Sequence, residues 1–295
     1  MLRREVYNYI GVWLIMARME IRKDCLERLL KRTQRMANIN GKMIPQVKGT
    51  MLYIGKGEVR TFNIVRDGTS SISSFSADIL NDDEATIPVA DISLLLGALT
   101  KHASGLITLS HADDKLRIQS DKKQTTLQSS ETAQAFSHTK KTIAEWCEDS
   151  KMRYEHTIEQ NPNGYTLKNG DVVPEAFKIT IDADHLCSAI SSGSMNGQKV
   201  ENYSFFTKEQ SSFNCLMLSV GADGKGKTET RLHTNAEGTL EPATIAGGLD
   251  NVLRTVNGEV ILSFFDLTPH GGGMSLRLSF EGGCVFQRES VHATN

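Results

Sequence analysis

The 295-residue chain carries 33 Lys and Arg against 35 Asp and Glu, a formal net charge of −2, and 39% of its residues are hydrophobic. This length and apolar content suit one large or two ordinary domains and exclude a disordered chain. The five cysteines are odd in number and scattered, without metal-ligand spacing. They exclude a disulfide-stapled fold and indicate a reducing, intracellular compartment.

The N-terminal sequence MLRR and the apolar run VYNYIGVWLIMA imitate the beginning of a secretory signal. No small-residue cleavage site follows them, and the run is too short to span a bilayer. We interpret residues 1–18 as an extension upstream of a functional chain that begins near Met19. We therefore expect a soluble intracellular protein with no membrane contact.

The segment after this extension predicts an amphipathic helix with one basic face. Arg28, Lys31, Arg32 and Arg35 recur at helical spacing, opposite an apolar face. Residues 22–35 hold six Lys or Arg against two acids, a net charge of +4, so the rest of the chain carries −6. Such a run is either a solvated helix face or a local contact for a polyanion.

A short strand, an Asp and a helix recur along the chain. IRKDCLERLL (21–30) and IDADHLCSAI (181–190) share one pattern, in which Asp24 and Asp184 lie near the predicted helix starts and can accept amide N–H groups. Looser copies are PVADISLLLGALTKHA (88–103), with Asp91 as the predicted cap, and TIAGGLDNVLRTV (244–256). Period-two runs follow the helices, among them LITLS, KLRIQ, FNCLMLSV, EVILSFF and MSLRLSF. This order predicts a duplicated α+β fold with two helices in each half.

The polar segment from Ala135 to Glu175 predicts a connector between the halves. Its central part either forms a surface helix around Ile143, Trp146 and Met152 or stays mobile. Trp146 is either an anchor for a partner or a staple that holds the connector on a domain, and we favour the staple.

GADGKGKT (221–228) matches the phosphate-cradling loop G-x-x-x-x-G-K-T, so a P-loop nucleotide hydrolase using Lys227 and Thr228 is the alternative function. That chemistry requires a helix directly after Thr228. The alternation in ETRLHT instead predicts a strand, and the glycines then form a hairpin tip. Asp266 and His270 in DLTPHGGGM could suggest acid–base chemistry, but the sequence places no nucleophile near them. The histidines show no metal-ligand spacing, so we expect no enzyme, no metal and no cofactor.

Four segments together resemble DNA sliding clamps, most closely the replicative clamps of tailed phages, which are related in fold to proliferating cell nuclear antigen. In chain order they are MEIRKDCLERLLKR, PVADISLLLGALTKHASGLITLSHADDKLRIQSDKKQTTL, FKITIDADHLCSAI and MSLRLSFEGGCVFQRES. The resemblance implies clamp domains at residues 19–134 and 176–295, joined by the connector 135–175, each with two helices packed on antiparallel sheets. It further implies a homotrimeric ring of six domains around duplex DNA, with helices facing the DNA and sheets pairing edge to edge between subunits. Its function would be that of a DNA polymerase processivity factor, which tethers the replicative DNA polymerase and is opened by a clamp loader.

A ring that slides requires contacts with phosphates that carry no base information. The expected DNA contacts are Arg28, Lys31, Arg32 and Arg35 on the first helix, followed by Lys101 and Arg254 near the ends of the second and fourth helices. The third helix, DADHLCSAISSGS, has no Lys or Arg and offers only His185, with Lys199 just beyond it. We therefore expect the first domain to dominate the contact with DNA.

Overall fold

The computed structural model describes residues 8–9, 12–13, 17–39, 42–64, 72–80, 84–136, 140–167, 169–192, 202–210, 213–221, 227–246 and 248–288. The helices of this part are α1 (Lys23–Gln34), α2 (Ile92–Leu99), α3 (Ile143–Tyr154), α4 (Ala183–Ser192) and α5 (Leu249–Leu253). A π-helical turn, Glu155–Glu159, continues α3, and Thr268–His270 form a 3₁₀ turn. The remaining regular structure is antiparallel β-sheet.

The strands of the first half of the chain are β1 (Asn8–Tyr9), β2 (Val12–Trp13), β3 (Ala17–Arg22), β4 (Met36–Ile39), β5 (Lys42–Pro45), β6 (Thr50–Gly55), β7 (Glu58–Ile64), β8 (Ile72–Asp78), β9 (Ala85–Val89), β10 (Leu106–Ala112), β11 (Lys115–Ser120) and β12 (Lys123–Gln128). Those of the second half are β13 (Gly164–Thr166), β14 (Val172–Pro174), β15 (Phe177–Asp182), β16 (Asn202–Gln210), β17 (Phe213–Gly221), β18 (Lys227–His233), β19 (Ala243–Ala246), β20 (Glu259–Asp266), β21 (Met274–Phe280) and β22 (Gly283–Arg288).

The chain forms two compact units. The first comprises residues up to Leu30 with Lys48–Thr61 and Ser76–Cys147, and the second comprises Lys31–Val47, Phe62–Phe75 and the chain from Glu148 onward. The last turn of α1 and the β4–β5 hairpin therefore belong to the second unit, although they precede most of the first in sequence.

The first unit contains a four-stranded sheet in the order β12-β11-β10-β3, and β6 pairs with both β7 and β9. The turn between β10 and β11 is formed by Asp113 and Asp114, which adopt φ of +52° and +55°. Asp tolerates this left-handed conformation, and two such residues in succession make the tight turn that a two-residue hairpin favours.

The second unit contains a four-stranded sheet in the order β18-β17-β16-β19 and a run in the order β15-β20-β21-β22, with β8 beside β22. Its apolar core includes large aromatic side chains with almost no exposed surface, namely Tyr203, Phe205, Phe264, Phe265 and Phe286. Burying such side chains contributes roughly 1.5–3 kcal/mol each to folding by the area estimate.

One pairing rule holds four times and confirms the predicted duplication. The strand before each of the four principal helices pairs with a strand that follows the other helix of the same half. In three of the four cases this partner is the first strand after that helix, and in the other it is β6, which comes after the β4–β5 hairpin. β3 precedes α1 and pairs with β10, which follows α2, whereas β9 precedes α2 and pairs with β6, which follows α1. β15 and β20, and likewise β19 and β16, repeat this exchange around α4 and α5.

The connector is ordered around α3 and packs on the first unit at its start. Trp146 lies edge-on to Phe136, with ring centroids 5.2 Å apart, beside the buried cluster of Met51, Ile143 and Cys147. Trp146 is therefore a staple, as favoured from the sequence, because its ring packs within the unit instead of standing free.

Candidate nucleic-acid interface

Helix α1 presents one exposed stripe and one buried face. Asp24, Arg28 and Lys31, which recur at i, i+4 and i+7, are exposed, whereas Leu26 and Leu30 have no exposed surface. This spacing places the three charged residues on one side of the helix. The predicted amphipathic helix is confirmed, but its charged stripe contains an acid as well as two cations.

Acidic partners offset several of the cations at the start of α1. The Arg22 guanidinium donates two hydrogen bonds to the Asp24 carboxylate, at 3.1 and 3.0 Å. These bonds lower the pKa of Asp24 despite the opposing effect of partial desolvation. The Lys23 ammonium lies 3.6 Å from Glu27 and donates to the His102 carbonyl at 2.8 Å. Neither Arg22 nor Lys23 is therefore a free positive charge.

Two exposed cations remain in the first unit at the positions selected from the sequence. The Arg28 side chain is 48% exposed, with its guanidinium 3.8 Å from Asp24. Lys101 lies two residues beyond the end of α2 and is exposed, and within the described residues it has no ion pair and no side-chain hydrogen bond. Asp91 fixes the other end of α2 by accepting the Leu94 N–H at 3.0 Å, which confirms the predicted cap.

The second unit contributes Lys31 and Arg254. Lys31 is exposed in the last turn of α1, and in the described part of the chain its ammonium forms neither an ion pair nor a hydrogen bond. Arg254 immediately follows α5, its side chain is 63% exposed, and its guanidinium lies 3.8 Å from Asp250 one turn earlier. Both residues can offer positive charge to a ligand in solvent.

The expectation that Arg32 lies on the exposed basic face is wrong. Its residue surface is only 9% exposed. Its Nε donates to Thr255 Oγ1 at 2.8 Å, its Nη2 donates to the Thr255 carbonyl, and its guanidinium lies 5.2 Å from the centroid of the Phe280 ring. Arg32 stands three residues after the buried Leu29, at the border of the apolar face, so its long side chain reaches inward.

The same expectation is wrong for Arg35, which is 6% exposed. Helix α1 ends at Gln34, and Arg35 adopts a φ of +44°, the left-handed conformation that often follows a helix. The chain turns at this residue, so helical spacing no longer describes where its side chain points. Arg35 Nη2 donates to Gln287 Oε1 at 3.2 Å inside the second unit.

The third principal helix supplies no Lys or Arg within its bounds. Asp182, not the predicted Asp184, caps α4 by accepting the His185 N–H at 2.8 Å. His185 is exposed, with its Nε2 3.4 Å from the Arg231 carbonyl. Lys199 lies outside the described residues, so Lys31 and Arg254 are the selected cations that the structure places, exposed, in the second unit.

The alternative phosphate-binding loop lacks the structural context that its chemistry needs. β17 ends at Gly221, and Lys227 and Thr228 open β18, which pairs antiparallel with β17. A phosphate-binding loop of this class requires a helix at that point, because the amides of its N-terminus hold the phosphates. The hydrolase hypothesis is therefore contradicted at Thr228. The residues 222–226 between the strands lie outside the described residues.

The second unit also has one large surface cavity, of about 930 Å³, along the connector. Met152, Tyr165, Leu167 and Phe286 are among its apolar lining residues, and Arg153 is one of its polar ones. Met152 is more than half exposed, so the cavity presents apolar surface to solvent.

The described ranges contain neither a cluster of metal-binding side chains nor a membrane-spanning helix. Within them, no group of three or more His, Cys, Asp or Glu side chains is placed to hold a metal ion. No helix in the same ranges is long and apolar enough to cross a bilayer. All five cysteines are free, and four of them are buried as small apolar side chains.

No protein-family model and no curated protein matches the chain. Solved structures do match it over most of its length. The DNA polymerase III beta sliding clamp of Bartonella birtlesii is 13% identical, with a TM-score of 0.57 over 94% of this chain and 66% of that one. The beta subunit of Thermotoga maritima is 16% identical, with a TM-score of 0.57 over 99% and 70%. The Helicobacter pylori beta clamp bound to a DNA ligase peptide is 14% identical, with a TM-score of 0.56 over 95% and 68%.

These comparisons assign the fold. The chain has the duplicated sliding-clamp fold, and it spans about two thirds of the length of the clamps that it matches. Sequence reasoning selected Arg28, Lys31, Lys101 and Arg254, which the structure leaves exposed. It missed the acids beside Arg28 and Arg254. Asp24 and Asp250 stand four residues before these arginines, so i, i+4 spacing was the available signal.

Proposed function

We propose that this chain, which has the DNA sliding-clamp fold, is a DNA polymerase processivity factor that encircles duplex DNA. The observation that carries the proposal is this fold, matched over 94% or more of the chain by bacterial clamps. Enclosure would supply the residence time on DNA, so the protein itself needs neither a tight DNA contact nor a catalytic site. The tethered enzyme would be the replicative DNA polymerase.

The exposed cations support a sequence-blind contact with the phosphate backbone. All four are exposed: Arg28 and Lys31 belong to α1, and Lys101 and Arg254 lie within two residues of the ends of α2 and α5. Lys and Arg that touch phosphates position a protein on the duplex without reading bases. Four such residues per chain, two of them beside a carboxylate, favour a weak contact that permits sliding.

Free sheet edges support assembly of several copies into a ring. β12 and β18 are outer strands of the two four-stranded sheets, and in the described part of the chain neither pairs on its outer side. Pairing of the β12 edge of one copy with the β18 edge of the next is a heterologous contact, and repeated heterologous contacts make a ring when the rotation closes. We propose that three copies close it, with six similar domains around the DNA.

Partner proteins would dock on the second unit. The cavity along the connector combines apolar lining residues, among them Met152, Tyr165 and Phe286, with polar ones, as peptide-binding clefts do. We propose that terminal peptides of the polymerase and of a clamp loader bind there. The H. pylori clamp bound to a ligase peptide shows that a protein of this fold binds such a ligand.

A loader-free test can separate enclosure from simple adhesion. The purified chain is incubated with linear duplex DNA carrying biotin at both ends, the ends are blocked with streptavidin, and the salt is raised before gel filtration. A ring threaded over an open end remains with the DNA at high salt, and cutting the duplex internally releases it. The solution mass, measured in parallel, is expected to reach three chain masses.

The control blocks both ends before the protein is added, and this order is expected to abolish retention. Retention that is independent of the order of blocking would mean adhesion and would overturn the proposal. A chain that stays monomeric at micromolar concentration and is never retained would overturn it as well.

A further inference from the structure

The buried Arg32 joins the two helix ends that carry the exposed cations Lys31 and Arg254. Its Nε donates to Thr255 Oγ1 at 2.8 Å and its Nη2 donates to the Thr255 carbonyl. Lys31 directly precedes Arg32, and Arg254 directly precedes Thr255. The two residues that are hydrogen bonded to each other are thus the immediate neighbours of two exposed cations.

Further contacts hold both Arg32 and Thr255 in place. The Thr255 hydroxyl donates its own proton to the Val252 carbonyl at 2.6 Å, which leaves its oxygen lone pairs for the Arg32 guanidinium. The Phe280 ring covers that guanidinium, with 5.2 Å from Cζ to the ring centroid. A planar guanidinium that meets two acceptors and an aromatic face has little rotational freedom, so it fixes the end of α1 on α5.

Two further side-chain bonds hold the same segment. Asn251 Nδ2 donates to the Met36 carbonyl at 2.8 Å, and Arg35 Nη2 donates to Gln287 Oε1 at 3.2 Å. The chain from Lys31 to Met36 is therefore tied to α5 and β22 at three points. Since Lys31 precedes this fixed stretch, its backbone is held relative to that of Arg254.

We propose that the Arg32–Thr255 contact sets Lys31 and Arg254 as one two-cation site for the phosphate backbone of duplex DNA, with Arg32 as its positioning residue. This inference rests on the proposed function, since it assigns part of the DNA contact. Because the two backbones are held together, contact of one cation with the duplex leaves the other close to it, so the second contact forms at a high effective concentration. Once either cation is removed, the other loses part of its effect, so the two substitutions are coupled.

The test measures binding of the full-length chain to a short fluorescent duplex by anisotropy over a series of salt concentrations. Lys31→Ala and Arg254→Ala are each expected to reduce the steepness of log K against log salt by about 0.9 per lost phosphate contact. In the wild-type background the effect of the double substitution is expected to differ from the product of the single effects by at least about twofold. In the Arg32→Gln background, the effects of Lys31→Ala and Arg254→Ala on the binding constant are expected simply to multiply.

Thr255→Val and Thr255→Ser provide a matched pair of variants. Valine has the shape of threonine but lacks the hydroxyl acceptor, so Thr255→Val is expected to weaken the coupling, whereas Thr255→Ser retains it. Thermal melts accompany each variant. If Arg32→Gln lowers the melting temperature too far for binding to be measured, the comparison of Thr255→Val with Thr255→Ser tests whether the contact couples Lys31 and Arg254.

The outcomes separate this inference from the proposed function. Binding that responds to Arg28→Ala and Lys101→Ala but not to changes at Lys31 or Arg254 overturns the paired site and leaves the DNA contact in place. Coupling that persists unchanged with both Arg32→Gln and Thr255→Val overturns the positioning role of Arg32. Duplex binding that none of the four exposed cations affects, together with no topological retention, overturns the proposed function itself.

Discussion

A proline at Thr126 is expected to weaken association between copies while leaving each copy folded. Thr126 is exposed in the edge strand β12, which forms a two-residue hairpin with β11 closed by Ser120 and Lys123. Hydrogen-bonded and non-hydrogen-bonded pairs alternate along such a hairpin, so the N–H and C=O of Thr126 point away from β11. The Ser129 N–H, which donates to the Asp114 carbonyl at 2.8 Å, agrees with this alternation.

The magnitude follows from the bonds that the proline removes. An outward-facing residue in an edge strand exchanges two backbone hydrogen bonds with a strand added beside it. Proline lacks the N–H, and its ring stands where the neighbouring strand must approach. At roughly 0.5–1.5 kcal/mol for each bond, the loss is about 1–3 kcal/mol per interface, or roughly 5- to 150-fold weaker association.

The assay is the solution mass as a function of concentration, measured by sedimentation, with circular dichroism melts to verify folding. Thr126→Val is the matched control, since it retains the N–H and is expected to assemble like the wild type. Thr125→Pro removes an inward bond to β11 and is expected to lower the melting temperature, which tests the register. If Thr126→Pro assembles at the same concentration as Thr126→Val, β12 does not form the interface.

Three further outcomes are expected. Asp24→Asn removes a carboxylate that lies 3.8 Å from Arg28, so it should raise the affinity for duplex DNA about 1.5- to 5-fold in a low-salt titration. The gain should be the same at pH 6 and pH 8, because the lowered pKa of Asp24 keeps its carboxylate ionised at both. Burial lowers the pKa of His102 below 6.5, so the unfolded chain takes up this proton at a higher pH than the folded chain, and acidification favours unfolding. The melting temperature should therefore drop from pH 7 to pH 5 less steeply for His102→Gln than for the wild type. Gly49→Ala places a Cβ 2.5 Å from a side-chain carbon of Ile143, so it should lower the free energy of unfolding, measured with denaturant, by about 1–3 kcal/mol. Gly97→Ala is the control, because the space around its Cβ is open and this variant should be as stable as the wild type.

The elements that could be predicted from the sequence are those with strong local signals. The four principal helices are predicted to begin near residues 22, 91, 182 and 246, and they begin at Lys23, Ile92, Ala183 and Leu249. The agreement is within three residues, because an apolar helical period marks each of them. The period-two runs are strands, since one face of each sheet is buried. The state of the connector could not be decided locally. Its helix α3 is held by the contact of Trp146 with Phe136, which no local pattern contains.

The candidate site was predictable where exposure follows from helical spacing and not where a tertiary partner decides. Arg28 and Lys31 lie in the middle of the exposed arc of α1 and are exposed as predicted. Arg32 lies at the edge of that arc, where Thr255 and Phe280 outcompete water for its guanidinium. Arg35 was predicted to lie in α1, which ends one residue earlier. Its left-handed φ could not be predicted, because glycine or asparagine usually marks that conformation after a helix and arginine does not.

The burial of Arg32 and Arg35 changes how the basic segment contributes to a sliding contact. Of its six cations, Arg32 and Arg35 are buried. Arg22 is exposed but hydrogen bonded to Asp24, and Lys23 is paired with Glu27, so Arg28 and Lys31 are the exposed cations on the helix surface itself. Arg28 has Asp24 one turn before it at 3.8 Å, and Arg254 has Asp250 in the same relation at the same distance. An acid beside a cation lowers its attraction for phosphate without removing it. A ring held on DNA by enclosure benefits from this weakening, since each phosphate contact must break for the ring to move.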